Sequence, residues 1–353
     1  MSATSSTRRA LWPHPFGELF EDSSRKPAAI VNVLWPQIGR EPDALDYLER
    51  ITGALASVES PFIAAMRGAG VEADGRVVVA YERVDGEGLS SALARGALPI
   101  ERAVAVLRQL CRGLATAHAA GINHRALGPA SIVLQRGGAH PDAIKILDFG
   151  LAGVLGETEA KYSPLVPMTP ERLLGFGTHT SEDVYLVGCI GYWMLAGVAP
   201  FTGEDSDSLR RRHAIEDVAP LRTVARHVPP GLARVVEDAL VKDPDDRTTD
   251  LAALELALVA AQREAGITTA WDSAIAAQSE RAIRGGESPA TSGVFQSVSG
   301  RGGKRSPSGS HRPVAAAANG RSIVAVGPAA RAATSAGTAA VPSTTASGSK
   351  MPR

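Results

Sequence analysis

In the first hundred residues, apolar positions cluster in short β-branched runs. Ala28–Leu34 is bounded by Pro27 and Pro36, and Arg76–Tyr81 holds Val77, Val78 and Val79 in a row. Runs of this length between turn residues predict buried strands. Ala44–Ala56, between them, carries helical spacing. After Pro99 the spacing is helical throughout. Leu107, Leu110, Cys111, Leu114 and His118 share one face, and Val187, Ile190, Gly191, Met194 and Leu195 share another. Leu232, Val235, Val236 and Leu240 predict a further helix that stops at Asp243-Pro244, and Leu251–Ala265 predicts the last one. A strand-rich first part followed by a helical second part predicts an α+β fold.

Past Ile267 the periodicity disappears. Arg301–Ser310 consists of Gly, Ser, Lys and Arg with one Pro, Ala315–Ser349 is mostly Ala, Ser, Thr, Gly and Pro, and Phe295 is the one aromatic after Trp271. Such a segment buries too little apolar area to offset its ordering entropy, so disorder is expected. The chain's 37 acids balance its 37 bases, but Arg281–Arg353 holds ten Lys/Arg against Glu287 alone, which leaves the remainder acidic. At 353 residues and 44% apolar composition there is material for a sizeable core. Cys111 and Cys189 lie in apolar, helix-like stretches, which predicts buried free thiols in a reducing compartment. Val184–Phe201 lacks charge for eighteen residues, near the length of a membrane span, but Gly188, Gly191, Gly197 and Pro200 within it predict a buried helix. Met1–Ala10 has two arginines and no apolar run behind them, so a secretory leader is not expected and the chain is placed in the cytoplasm.

The most specific feature is Ile122–Leu134, which reads Ile-Asn-His-Arg-Ala-Leu-Gly-Pro-Ala-Ser-Ile-Val-Leu, followed by Asp148-Phe149-Gly150. The pair resembles the catalytic and metal loops of a protein kinase, H-R-D-L-K-P-x-N and D-F-G. Further markers follow in the family's order. Asp183-Val-Tyr-Leu-Val-Gly188 is similar to D-x-[WY]-S-x-G, and Thr169-Pro170-Glu171 stands where A-P-E closes the activation segment. Gly197-Val-Ala-Pro200-Phe201 looks like G-x-x-P-F, and Arg247 stands where the family pairs an Arg with the A-P-E glutamate. The resemblance, to a bacterial serine/threonine protein kinase domain, spans roughly residues 11–265. It implies a two-lobed α+β kinase-like fold with a small strand-rich N-lobe, a larger helical C-lobe and a disordered C-terminal tail. The expected organisation is a disordered N-terminus at 1–10, an N-lobe at 11–85, a C-lobe at 86–266 and a low-complexity basic tail at 267–353.

The chemistry departs from the pattern that the frame keeps. His124, Arg125, Leu127 and Pro129 hold the catalytic-loop frame, but Ala126, Gly128 and Ser131 replace the family's Asp, Lys and Asn. The glycine-rich loop matches Trp12, His14 and Gly17, with Pro13 and Pro15 between, so only the third glycine remains and each proline removes a donor. The strand lysine matches Asn32, or Val31 if the register slips by one. Its helix acid matches Ile51, with Glu49 close by. Glu82, Arg83 and Val84 look like the hinge, with Tyr81 as gatekeeper, and Ser163-Pro164 replaces a Gly-Thr of the activation segment.

Phosphoryl transfer rests on positioning and charge neutralisation. A methyl group at 126 can neither orient a hydroxyl nor accept its proton, a role that typically contributes about 10²–10⁴-fold in rate. What remains of the implied ATP and Mg²⁺ site is Gly17, Asn32, Tyr81, Glu82, Val84 and Asp148, with Asp148 the one metal candidate. Asp148 can equally serve backbone hydrogen bonding, and His118 and His124 are assigned structural roles. The leading reading is therefore a catalytically impaired, pseudokinase-like binding module with protein partners in bacterial signalling. One alternative is a divergent active kinase using a base such as Glu157 or Glu159. Another is docking of the basic, Ser/Thr-rich tail on an acidic partner. No ordered stripe of Arg and aromatic residues argues for direct nucleic-acid reading.

Overall fold

The computed structural model describes residues 7–36, 38, 44–155, 169–176 and 181–274. The small lobe is built on a five-stranded antiparallel sheet. Its strands are β1 (Arg8–Ala10), β2 (Gly17–Asp22), β3 (Ala29–Leu34), β4 (Met66–Val71) and β5 (Val77–Glu82), ordered β1-β2-β3-β5-β4. The helix α1 (Ala44–Leu55) packs beside β4. β3 is buried at every position because it lies mid-sheet and both faces are covered, which is why its sequence is apolar apart from Asn32. Ile30 and Leu34 face the main core, while Ala29, Val31 and Val33 join Val78 and Ala80 in a second cluster on the outer face. Phe20 packs against that outer face, and the guanidinium carbon of Arg8 lies 6.0 Å from its ring centroid.

The large lobe opens with β6 (Gly86–Gly88), α2 (Leu89–Leu93) and α3 (Ile100–Ala119). A 3-10 turn at Pro129–Ser131 leads into β7 (Ile132–Gln135) and β8 (Ile144–Ile146), which form an antiparallel sheet with β6. Then come α4 (Leu151–Leu155), α5 (Pro170–Leu173), α6 (Glu182–Ala196), α7 (Ser206–Ile215), α8 (Leu221–Val224), α9 (Pro230–Asp238) and α10 (Leu251–Glu264). α6 is buried nearly all round, the expected fate of the uncharged stretch, and sits between α3 and α9. No described helix is long and apolar enough to cross a membrane. Cys111 and Cys189 are buried free thiols, and burial pushes Cys189 up to about 12. At their junction the lobes share backbone hydrogen bonds, with Ile146 N–H donating to Phe62 O at 2.7 Å and Ala64 N–H to Ile146 O at 2.9 Å.

The structure corrects two of the expected boundaries. Arg8–Ala10, expected to be disordered, is strand β1, because Arg8 and Arg9 find acids on β2 in Asp22 and Glu21. Ile267–Ser273, expected to begin the tail, folds back on the large lobe. Trp271 is buried under Arg108 and Arg112, whose guanidinium carbons lie 4.8 and 4.6 Å from its ring centroid. Asp272 accepts from Arg108 at 2.6 Å and from the Thr269 hydroxyl at 2.7 Å. The rest of the expected tail, with Ser163-Pro164, Glu157 and Glu159, lies outside the described residues.

Candidate functional site

The candidate site lies where the turn before β2, together with β3 and β5, faces the 3-10 turn and the loop after β8. The large-lobe half is organised by Asp183 in the first turn of α6, which is fully buried. Its carboxylate accepts from His124 N–H at 2.8 Å and Arg125 N–H at 2.7 Å, and His118 Nε2 lies 2.7 Å away. Burial pushes this carboxyl up, but the His118 hydrogen bond and the neighbouring His124 more than offset that and hold it below the usual carboxylate range. The three contacts hold Arg125 in a left-handed conformation, φ 61°. They also fix His124, which donates to Leu147 O at 2.8 Å and packs on Phe149 with ring centroids 4.7 Å apart. One ring nitrogen of each histidine is thus engaged by the frame, that of His118 with Asp183 and that of His124 with Leu147 O. Glu171 and Arg247 form a buried two-point pair, at 3.0 and 2.9 Å, and Arg247 also donates to Ser181 O at 3.1 Å.

The frame therefore sets out a catalytic-loop geometry with no acid at its centre. Ala126 is buried and presents a methyl group. Gly128 contributes only its carbonyl, which accepts from Ser131 N–H at 3.0 Å. The Ser131 hydroxyl is close enough to Asp148 to help hold that carboxyl charged.

The small-lobe half is where the substitutions act together. Trp12 donates its indole N–H to Ala130 O at 2.9 Å, and its ring lies against Gly88, where an added Cβ would stand 2.7 Å from three indole atoms. His14 reaches across to Asp148, Nε2 to Oδ2 at 2.8 Å, with both side chains fully buried. Its other ring nitrogen accepts from Asn32 Nδ2 at 3.1 Å and from Phe16 N–H at 3.4 Å, which puts the ring proton on Nε2 and makes His14 the donor to Asp148. Asn32 also donates to Asp148 Oδ1 at 3.4 Å, and Tyr81 donates to the same oxygen at 3.2 Å. Burial raises the Asp148 carboxyl, and the interaction with His14, helped by Ser131 and His124, outweighs it and leaves the carboxyl lowered. Tyr81 is driven the other way, well above its ordinary value, by burial and by the Asp148 charge.

Gly17 opens β2 opposite Leu34, and an added Cβ there would stand 2.5 Å from Asn32 Oδ1. The one glycine left in the loop thus makes room for the residue at the lysine position. Trp35 fixes the loop from behind, donating to Pro15 O at 3.1 Å. Ile51 packs on Gly150, whereas Glu49 is exposed on α1, so the helix offers no acid to the site. In the hinge, Glu82 turns to Lys145 at 2.8 Å and to Ala65 N–H at 3.1 Å, Arg83 pairs outward with Glu21, and Val84 packs on the core. Asn32, Tyr81 and Asp148 are therefore brought together with Gly17 beside them, while Glu82 and Val84 stay at the hinge. What sequence reasoning missed is the part played by Trp12, His14 and Trp35. Two polar or aromatic substitutions at matched glycine positions were the available signal.

This two-lobed fold, with its D-F-G loop and the Asp183 and Glu171–Arg247 anchors, defines a kinase-like protein. The sequence profile of the protein kinase domain matches residues 45–259, and the chain belongs to that family, among the bacterial serine/threonine kinase-like members. It is 31% identical over 224 residues to the serine/threonine-protein kinase PknA of Mycobacterium tuberculosis, 61% of this chain and 50% of the relative. It is 30% identical over 242 residues to PknB of the same organism, 65% of this chain and 38% of the relative. The chain thus spans half or less of these curated relatives. The kinase domain of M. tuberculosis PknI superposes with a TM-score of 0.57 at 21% identity, covering 74% of this chain and all of the other. The profile match begins within α1, beyond the loop and the strand that carry Trp12, His14 and Asn32.

Proposed function

We propose that this chain is a catalytically impaired kinase-like module that acts by binding protein partners in bacterial signalling. The observation that carries the reading is the state of Asp148, whose two oxygens accept from His14, Asn32 and Tyr81 while the side chain is wholly shielded from water. The residues present do not fit magnesium and ATP. A hard cation needs exposed oxygen ligands, and among the described residues the carboxylate in place, Asp148, is engaged by protein donors. No ammonium stands at position 32 or 128, and no carboxylate stands at 126.

A metal-dependent ATP titration by calorimetry, with a phosphoryl-transfer assay on generic protein substrates, tests the reading. We expect no heat of binding and no labelled product. Product that appears in the parent and disappears in Asp148→Asn would mean a working kinase and defeat the proposal.

A further inference from the structure

A working kinase closes its lobes around a nucleotide, and here the space between the lobes is crossed by the protein itself. Residues 12–16 belong to the small lobe, joining β1 to β2, yet Trp12 and His14 spend their side chains on the large lobe. Trp12 lies on Gly88 of β6 and donates to Ala130 O in the 3-10 turn. His14 donates to Asp148 in the loop after β8. Both side chains are buried, and Phe16 is 2% exposed.

The segment is also stiffened on its own side. Pro13 and Pro15 fix two backbone dihedrals, and Trp35 donates its indole N–H to Pro15 O at 3.1 Å. Trp35 N–H donates to Phe16 O at 3.0 Å, and Phe16 N–H reaches His14 Nδ1 at 3.4 Å. A loop of prolines, buried aromatics and a histidine cannot wrap a polyphosphate with backbone amides. It has the composition of an anchor, with large apolar surfaces and two directed polar tips.

We propose that residues 12–16 are the cleft's resident ligand, a segment in cis that bridges the lobes where nucleotide would and keeps them closed without one. The proposal rests on the impaired-kinase reading and deepens it by naming what occupies the site. A ligand built into the chain is present at very high effective concentration, so closure does not depend on nucleotide supply. Closure then becomes a fixed property of the module, and the surface shown to partners is that of a permanently closed kinase-like body.

The test is a distance between the lobes of the full chain, measured by pulsed electron resonance. Spin labels go at Val71→Cys on β4 and Leu256→Cys on α10, both exposed. Cys111 and Cys189 are buried, with thiol ionisation pushed well up, and stay unlabelled. The parent is expected to give one narrow distance that magnesium with a non-hydrolysable ATP analogue leaves unmoved. Trp12→Ala/His14→Ala is expected to give a longer and broader distribution at unchanged helical circular dichroism. Trp12→Phe/His14→Leu keeps most of the bulk and loses both hydrogen bonds, and is expected to broaden the distribution less. It decides the matter if the alanine variant fails to fold. An unchanged distribution in a folded variant overturns the proposal, because the hinge contacts then suffice to close the lobes. Phosphoryl transfer by the parent would instead defeat the impaired-kinase reading and leave the lobe distance to be judged by itself.

Discussion

The large-lobe side of the site holds two buried aspartates, Asp183 in the first turn of α6 and Asp148 at a left-handed position after β8, and they are satisfied from different lobes. Asp183 in the large lobe is satisfied by two catalytic-loop backbone amides and His118. Asp148 is satisfied by His14, Asn32 and Tyr81, none of which occupies its position for catalysis in the family pattern. Burying a carboxylate demands donors in both cases. The large lobe keeps the inherited donors, while the small lobe supplies new ones from the loop and strand that would otherwise serve phosphates. A buried charge is thus met by whichever lobe can bring donors to it, and the donors at Asp148 come from side chains rather than from backbone.

The sharpest way to break this comparison is at the inherited anchor. Arg247→Ala leaves Glu171 buried and unpaired, and we expect a loss of about 3–5 kcal/mol in urea unfolding. A loss below about 1 kcal/mol would mean that the pair contributes nothing to the frame.

A pH profile tests a second inherited contact. His213 lies against Phe201, ring centroids 4.8 Å apart, and its Nδ1 lies 3.0 Å from Tyr185 Oη. Burial, helped by Lys242, lowers His213 from 6.5 to about 4. The unfolded chain therefore binds the proton more readily than the folded one between those values. Stability is complete above pH 6.5 and falls as pH drops toward 4, by about 3 kcal/mol at most. His213→Gln is expected to flatten that limb in a series of urea melts from pH 7 to 4. An unchanged slope would assign the acid sensitivity elsewhere.

The new donors are the next target. Asp148→Asn retains the volume but removes the charge that His14, Asn32 and Tyr81 serve, with an expected cost of about 1–3 kcal/mol and no change in any nucleotide signal. A stabilised variant would show that the carboxylate is merely tolerated. The smallest effect is expected from Trp12→Phe, which keeps a ring against Gly88 and loses one hydrogen bond to a buried carbonyl, about 1 kcal/mol. No change at all would leave packing as Trp12's whole contribution.

Legibility follows the same division. The large lobe was readable because its markers, from His124 to Arg247, are spaced by the fold and each has a specific packing duty. β3 was readable because a β-branched, largely apolar run has few alternatives in a sheet, and Asn32 is its one polar position. The site was readable only as losses. Nothing in the spacing of Trp12, His14 and Asn32 shows that a histidine 134 residues before an aspartate will meet it, since that contact depends on how the lobes pack. The expected disorder failed at residues 267–274 for a local reason. Thr269 and Asp272 form a capping box, with Asp272 N–H donating to Thr269 Oγ1 at 3.1 Å and Thr269 N–H to Asp272 Oδ2 at 3.4 Å. That four-residue signature, next to a tryptophan, was in the sequence to be read.

The contact between His14 and Asn32 also bears on how this chain could change. Glycine at 14 takes away the shortest side-chain donor to Asp148, whereas lysine at 32 brings an ammonium that can donate, as the amide does, to the same ring nitrogen and carboxylate. The two positions are therefore unequal: one side chain ties the lobes together, and the other is replaceable by any donor of similar reach.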